Sequence, residues 1–154
     1  MKSMKMKLED VVNAFRLLND AKYQKLGDDD KVKVWKATRV LKPMAMQLEE
    51  DIQDARQRFI PSEDFNQKLQ KAIEYEKLKA EKKEELPMSE AEYMATLADY
   101  NKFRDMMKKA LDEFNSKEVE VSFEPVSEEA FGKLMASNDW TFKQVETLEF
   151  ILDN

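Results

Sequence analysis

From Val34 to Phe59 the residues Val34, Thr38, Leu41, Ala45, Leu48, Ile52, Ala55 and Phe59 alternate spacings of four and three, the signature of one continuous helical seam. The intervening positions are mostly charged or polar, so the seam must face other elements, and the rest of the chain can be read as what packs on it. The predicted helix runs over Val32 to Phe59. Pro43 lies inside it, where a missing N–H and a ring pressed on the preceding turn predict a kink near Arg39 to Lys42, with a complete break as the alternative. An apolar seam that continues across Pro43 favours the kink.

The chain start has a different period. Met4, Met6 and Leu8 alternate with Lys5 and Lys7, and further on Val119, Val121 and Phe123 alternate with Glu118, Glu120 and Ser122. These two segments, 2–8 and 118–123, predict a two-stranded antiparallel ribbon with lysines of one strand opposite glutamates of the other. Between them the helical period rules. Val11, Val12, Phe15 and Leu18 give a first helix running to about Tyr23, with Glu9 and Asp10 suited to its first turn. Leu26 and Gly27 break it, and Asp28, Asp29 and Asp30 precede the long helix as an N-terminal signal.

Pro61 ends the long helix, and Ser62, Glu63 and Asp64 open the next, with a stripe of Phe65, Leu69, Ala72, Ile73 and Ala80. Lys77 to Glu85 reads as a solvated helix end. Leu86 and Pro87 punctuate, then Ser89 and Glu92 form a capping box. A second long helix follows with Tyr93, Leu97, Tyr100, Arg104, Met107, Leu111 and Phe114 at four and three spacings, interrupted only by Arg104. Short connections make it antiparallel to its neighbour. Beyond the second strand, Pro125 and Ser127 introduce a short helix with Phe131, Leu134 and Met135. Asn138 and Asp139 turn the chain. Thr141 and Gln144 cap a final helix with Val145, Leu148, Ile151 and Leu152, with Trp140 and Val145 placed as a hydrophobic staple.

The predicted fold class is therefore mainly α: long antiparallel helices in a helical bundle or coiled-coil-like arrangement, a small two-stranded antiparallel ribbon and short C-terminal helices. It is read as a single domain, 1–154, with long helices over 9–115 and C-terminal helices over 127–153. Composition agrees. There are two glycines and four prolines in 154 residues, against roughly ten and eight at average usage, so turns are few and elements long.

Charge and chemistry narrow the function. A net charge of −6 opposes non-specific attraction to nucleic acid or anionic membrane. With no cysteine and no histidine there is no disulfide, no thiolate or imidazole metal site and no imidazole-dependent triad. Met1 to Leu8 lacks the apolar core of a signal peptide, and no stretch approaches the roughly 18 apolar residues of a membrane span. Asp28 to Asp30 is the one dense acidic cluster. It has an oxygen-ligand reading, as a magnesium site or a magnesium-dependent hydrolase, and a favoured reading as helix capping and solvation. Lys31, Lys33, Lys36, Arg39 and Lys42 flank the long helix with Trp35 among them. They suit phosphates and stacked bases, or, as the favoured alternative, pairing with acids of an adjacent helix while Trp35 is buried. Met44 and Met46, among ten methionines, suit an adaptable partner surface or simple core filling. Gly27 and Gly132 are too few for a glycine-rich phosphate loop. No catalytic, cofactor-binding or metal residue is assigned, and no cofactor is expected.

Two stretches carry a distant resemblance. Phe15 to Leu26, in which Leu18-Asn19 and Gln24-Lys25-Leu26 are the telling elements, together with the Lys-Met start, resembles the opening of an uncharacterised family of small tailed-phage and prophage proteins of about this length. Lys117 to Pro125, with the short helix and the closing segment Val145 to Asn154, is similar to that family's ending. Gly27 and the Asp28 to Asp30 cluster depart from its pattern. The family brings no catalytic residues. Its resemblance implies a phage origin and expression in the cytoplasm of an infected bacterium or association with the virion. Within Leu17 to Leu26, Asn19 and Gln24 are expected to satisfy backbone groups at the turn.

The functional expectation is a non-enzymatic phage protein that binds another protein, of phage or host, in virion assembly or as an accessory factor, with homo-oligomerisation open. The alternative is an acidic inhibitor or regulator of host nucleic-acid machinery or defence. No membrane partner is expected.

Overall fold

The computed structural model describes residues 1–153; Asn154, which closes the second stretch of the resemblance, lies outside the described residues. In order the elements are β1 (Lys2–Lys7), α1 (Leu8–Asn19), α2 (Asp28–Phe59), α3 (Phe65–Ala80), α4 (Glu90–Ser116), β2 (Glu118–Phe123), α5 (Glu128–Ala136), α6 (Phe142–Leu148) and a 3₁₀ turn (Glu149–Ile151). The mainly helical class, the long helices, the ribbon and the short C-terminal helices are as the periodicity predicts. The chain groups into two compact units. One is formed by Met1–Glu50 with Glu113–Asn154, the other by Asp51–Asp112.

In the first unit β1 and β2 pair antiparallel, with Met4 opposite Val121, Met6 opposite Val119, Lys5 opposite Glu120 and Lys7 opposite Glu118. The ribbon thus turns one apolar face inward and sets lysine against glutamate on the other. Such a ribbon is marginal alone. It is held by a core in which Val11, Leu18, Val34, Leu41, Val121, Val126, Leu134, Leu148 and Ile151 are fully buried. Each of these aliphatic side chains stabilises the fold by about 1.5–3 kcal/mol relative to exposure. The seam of α2 is confirmed residue by residue. Val34, Leu41, Ala45 and Leu48 are buried and Thr38 half-buried in this unit; past Glu50, in the second unit, Ala55 is buried and Ile52 and Phe59 half-buried. The helix is continuous through Pro43, so there is no break, and Pro43 itself is exposed.

Four boundaries differ from expectation in this unit. Leu8, expected in the first strand, is the first residue of α1, where its side chain is buried. The helix α1 stops at Asn19, four residues before Tyr23. The Asp20 N–H closes it on the Arg16 carbonyl, and the Tyr23 hydroxyl folds back to donate to the Leu18 carbonyl. Asp28, Asp29 and Asp30 form the first turn of α2 itself and do not precede it; they favour its dipole from inside. The last apolar residues are not all on one α-helix. After α6 the chain tightens to 3₁₀, and Leu152 pairs with Val126 as an isolated parallel bridge, with Val126 N–H to Ile151 carbonyl and Asp153 N–H to Val126 carbonyl both at 2.8 Å. The caps hold as predicted. Ser127 accepts from the Ala130 N–H, and Thr141 with Gln144 forms a complete capping box. Trp140 and Val145 both pack on the main core.

In the second unit the rings of Phe65 and Phe103 meet at 5.6 Å and those of Tyr75 and Tyr93 stack at 4.3 Å. As the α3 number rises the α4 partner falls, so the two helices run antiparallel. The Ser89 Oγ accepts from the Glu92 N–H at 3.1 Å, forming that arm of the predicted box. Two stripe assignments need correction. On α3 the buried side is Phe65, Ala72 and Tyr75, with Leu69 half-buried, while Ile73 is 67 % exposed and Ala80 exposed. Tyr75, three residues after Ala72, sets the face by stacking on Tyr93, which turns Ile73 a quarter turn outward. On α4 the face passes through Thr96, Phe103 and Met107, not through Tyr100 and Arg104. Phe103 fills the space beside Phe65, and Arg104 lies over the Tyr100 ring at 5.9 Å on the flank.

Candidate functional site

The seam of α2 occupies one side of the helix. On the opposite side Val32, Trp35 and Met46 are 46 %, 53 % and 43 % exposed. Their spacing, with Arg39 and Lys42 between, is again three and four, so one helix carries a second, outward stripe. Trp35 is therefore on the surface and not buried as the structural alternative required. The Arg39 guanidinium sits 4.8 Å from the centre of its ring, a cation–π contact.

The other cations of the flank divide. Lys33 reaches Glu124 at 3.9 Å, past the end of β2 and not on an adjacent helix, and as a half-exposed ion pair it adds about 0–1 kcal/mol. Lys36 and Arg39 line a groove of about 450 Å³ together with Val40 of the same helix, Met1, and Ser122, Phe123 and Glu124 at the end of β2. Ser122 is fixed there by a 2.6 Å hydroxyl contact to Ser3. Lys36, Arg39 and Lys42 are exposed and Lys31 half-exposed. The wider sequence context makes the charge sharper. Lys31 to Gln47 holds five cations and no carboxylate, between Asp28 to Asp30 and Glu49 to Asp51. That acid-free run is legible in the sequence and is the signal that would have marked the surface.

Asp28 and Asp29 are exposed, and among the described residues no group of three or more His, Cys, Asp or Glu side chains could hold a metal ion. Met44 is half-buried against the main core, whereas Met46 is on the outward stripe. Gly27 precedes α2 and Gly132 lies within α5. The turn after α1 is braced by Asn138, Ser137 and Tyr23, while Asn19 and Gln24, the residues expected to do this, are exposed. Burial pushes the Tyr23 hydroxyl up from its ordinary value.

A second, smaller groove of about 380 Å³ lies in the other unit among Tyr75, Glu76, Lys79, Glu90, Tyr93 and Met94. The Tyr93 hydroxyl donates to the Glu76 carboxylate, and this bond, with some desolvation, pushes Tyr93 up to about 12. Lys79 is raised by its 3.3 Å contact to the Tyr75 hydroxyl. The hydroxyls of Tyr75 and Tyr93, the Glu76 carboxylate and the Lys79 ammonium are already partnered. The groove is a satisfied structural contact, and sequence periodicity, which placed Tyr75 in no stripe, missed it.

Both sites offer contact surfaces. The α2 face presents an indole, two aliphatic side chains and a row of cations, a set suited to holding a partner by apolar contact and charge. No family model, curated protein or solved structure matches the chain. No helix among the described residues is long and apolar enough to cross a membrane.

Proposed function

We propose that the chain is a non-enzymatic protein-binding protein that docks its partner on the outward face of α2, as a phage-encoded assembly or accessory factor. The single observation that carries this reading is the exposed stripe Val32, Trp35 and Met46 on a helix whose opposite face already supplies the core. Nothing in the fold requires an indole there. Its hydrophobic area is spent on solvent unless a partner covers it, and Trp and Arg are the residue types that dominate binding energy at protein interfaces. The phage setting, whether in the cytoplasm of an infected bacterium or on the virion, is what the resemblance implies.

The test compares tagged wild-type chain with the Trp35→Ala protein, both recovered from the cell that naturally produces it. The expected result is a stoichiometric protein companion that is lost from the variant while α-helical content is unchanged. Equal recovery of every companion by both proteins would remove the α2 face from the account.

A further inference from the structure

We infer that the partner segment seated on α2 is an acidic amphipathic helix of another protein. This rests on the protein-binding reading above and names the chemistry of the partner. The stripe from Val32 to Met46 spans about 21 Å, four helical turns. Around it Lys31, Lys33, Lys36, Arg39 and Lys42 place five positive charges in a chain of net charge −6, so the rest of the molecule carries −11. Among the described residues only Lys33 of these five has an acid within ion-pair distance; Lys36, Arg39 and Lys42 stand exposed, Arg39 against the indole. A partner with carboxylates flanking apolar residues at three and four spacings would cover Val32, Trp35 and Met46 and meet those cations, the helix-on-groove mode of recognition.

Charge argues against the other occupants. A second copy packed about a twofold axis through Arg39 would set Val32 against Met46 but also Arg39 against Arg39 and Lys36 against Lys42, cation on cation at the centre of the contact. A nucleic acid would have to leave the patch at both ends past Asp28 to Asp30 or Glu49 to Asp51. Its bases would also find a single indole, against which Arg39 already rests. A short acidic helix ends where the cations end.

The experiment titrates the full chain with labelled synthetic helical peptides that share one Leu/Phe face and carry Glu, Gln or Lys elsewhere, and with a labelled thymidine oligonucleotide, at low and near-physiological ionic strength. The Glu peptide is expected to bind about tenfold more tightly than the Gln peptide, to weaken with salt, and to lose about tenfold in affinity with Trp35→Ala and with Lys36→Glu/Arg39→Glu. All three positions are exposed, so helical content by circular dichroism should be retained. Equal binding of the Glu and Gln peptides, preference for the Lys peptide, tighter binding of the oligonucleotide, or no binding of the Glu peptide would each overturn the proposal. If one of these occurs while a Trp35-dependent protein companion is still recovered from the producing cell, the acidic-helix inference falls and the protein-binding reading stands.

Discussion

The side-chain amide of Asn138 pairs with both backbone polar groups of Lys22, accepting its N–H at 2.8 Å and donating to its carbonyl at 2.9 Å. The amide thereby acts as a strand neighbour for one residue. The same Nδ2 also donates to the Leu134 carbonyl at 2.9 Å, at the C-terminus of α5. This clamp and the Lys25 N–H to Ser137 Oγ bond fasten the turn between α1 and α2 to the end of α5. The orientation of α2, and so of its outward face, depends on that turn.

Asn138→Ala is expected to destabilise the first unit by about 0.5–1.5 kcal/mol, because it removes the amide that ties the exposed Lys22 backbone groups to α5, while the Leu134 carbonyl keeps the Ser137 N–H. Asn138→Asp keeps an acceptor for the Lys22 N–H and loses the donors, so it should also destabilise. Both tryptophans lie in this unit, so urea unfolding followed by tryptophan fluorescence reports it. The expected sign is a lower midpoint at unchanged slope. A midpoint equal to wild type would mean the clamp contributes nothing.

The helix α3 ends on a non-glycine residue in the left-handed region, Lys82 at φ 59°. Around it Lys83 N–H bonds the Leu78 carbonyl and Lys82 N–H the Lys79 carbonyl, both at 3.0 Å, the pairing of a Schellman cap. A side chain at that φ is disfavoured and glycine is not. Lys82→Gly should therefore raise the stability of the second unit by about 0.5–1 kcal/mol, read as a higher thermal midpoint by circular dichroism. A lower midpoint would contradict the cap.

Tyr93 gives a pH signature with a definite sign. The folded chain holds its hydroxyl protonated up to about pH 12, from an ordinary value of 10.0. The unfolded chain gives up that proton first. Its contribution to stability is therefore intact below pH 10 and is lost as pH rises from 10 to 12. Phenolate absorbance should show a component titrating near pH 12 that disappears in Tyr93→Phe, and the variant should lose less stability across that window. If the component lost in Tyr93→Phe titrates near the ordinary 10.0 instead, the bond to Glu76 is absent.

Much of this architecture is legible in spacing alone. The eight seam positions of α2 and the two period-two strands each satisfy a pattern that only one secondary structure fits, and turning Met4, Met6, Val119 and Val121 to the same side sets lysine against glutamate, while the register itself is seen only in the structure. What spacing could not supply was the choice between neighbouring faces. On α3, Ala72 and Ile73 both fit an apolar stripe, and only the Tyr75 to Tyr93 stack decides between them. On α4, Tyr100 and Phe103 compete in the same way, and Phe65 decides. The end of α1 was misplaced because Asn138, more than a hundred residues away, substitutes for helix at Lys22. The candidate site was half legible. The cations and Trp35 were visible as a group, but their exposure was not, since an indole is as good a core residue as a surface anchor.

The central claim is that the cationic, indole-bearing side of α2 is the surface this protein uses. Replacing single residues with a photo-cross-linking phenylalanine analogue tests it most directly, at Trp35 and, for comparison, at Ile73 and Phe142, which are 67 % and 88 % exposed. All three positions offer solvent-facing hydrophobic side chains, and only position 35 stands among the cations. Irradiation of the producing cell is expected to yield a discrete protein adduct from position 35 and none of that mass from 73 or 142. The same adduct from all three positions, or one from position 142 alone, would contradict the account.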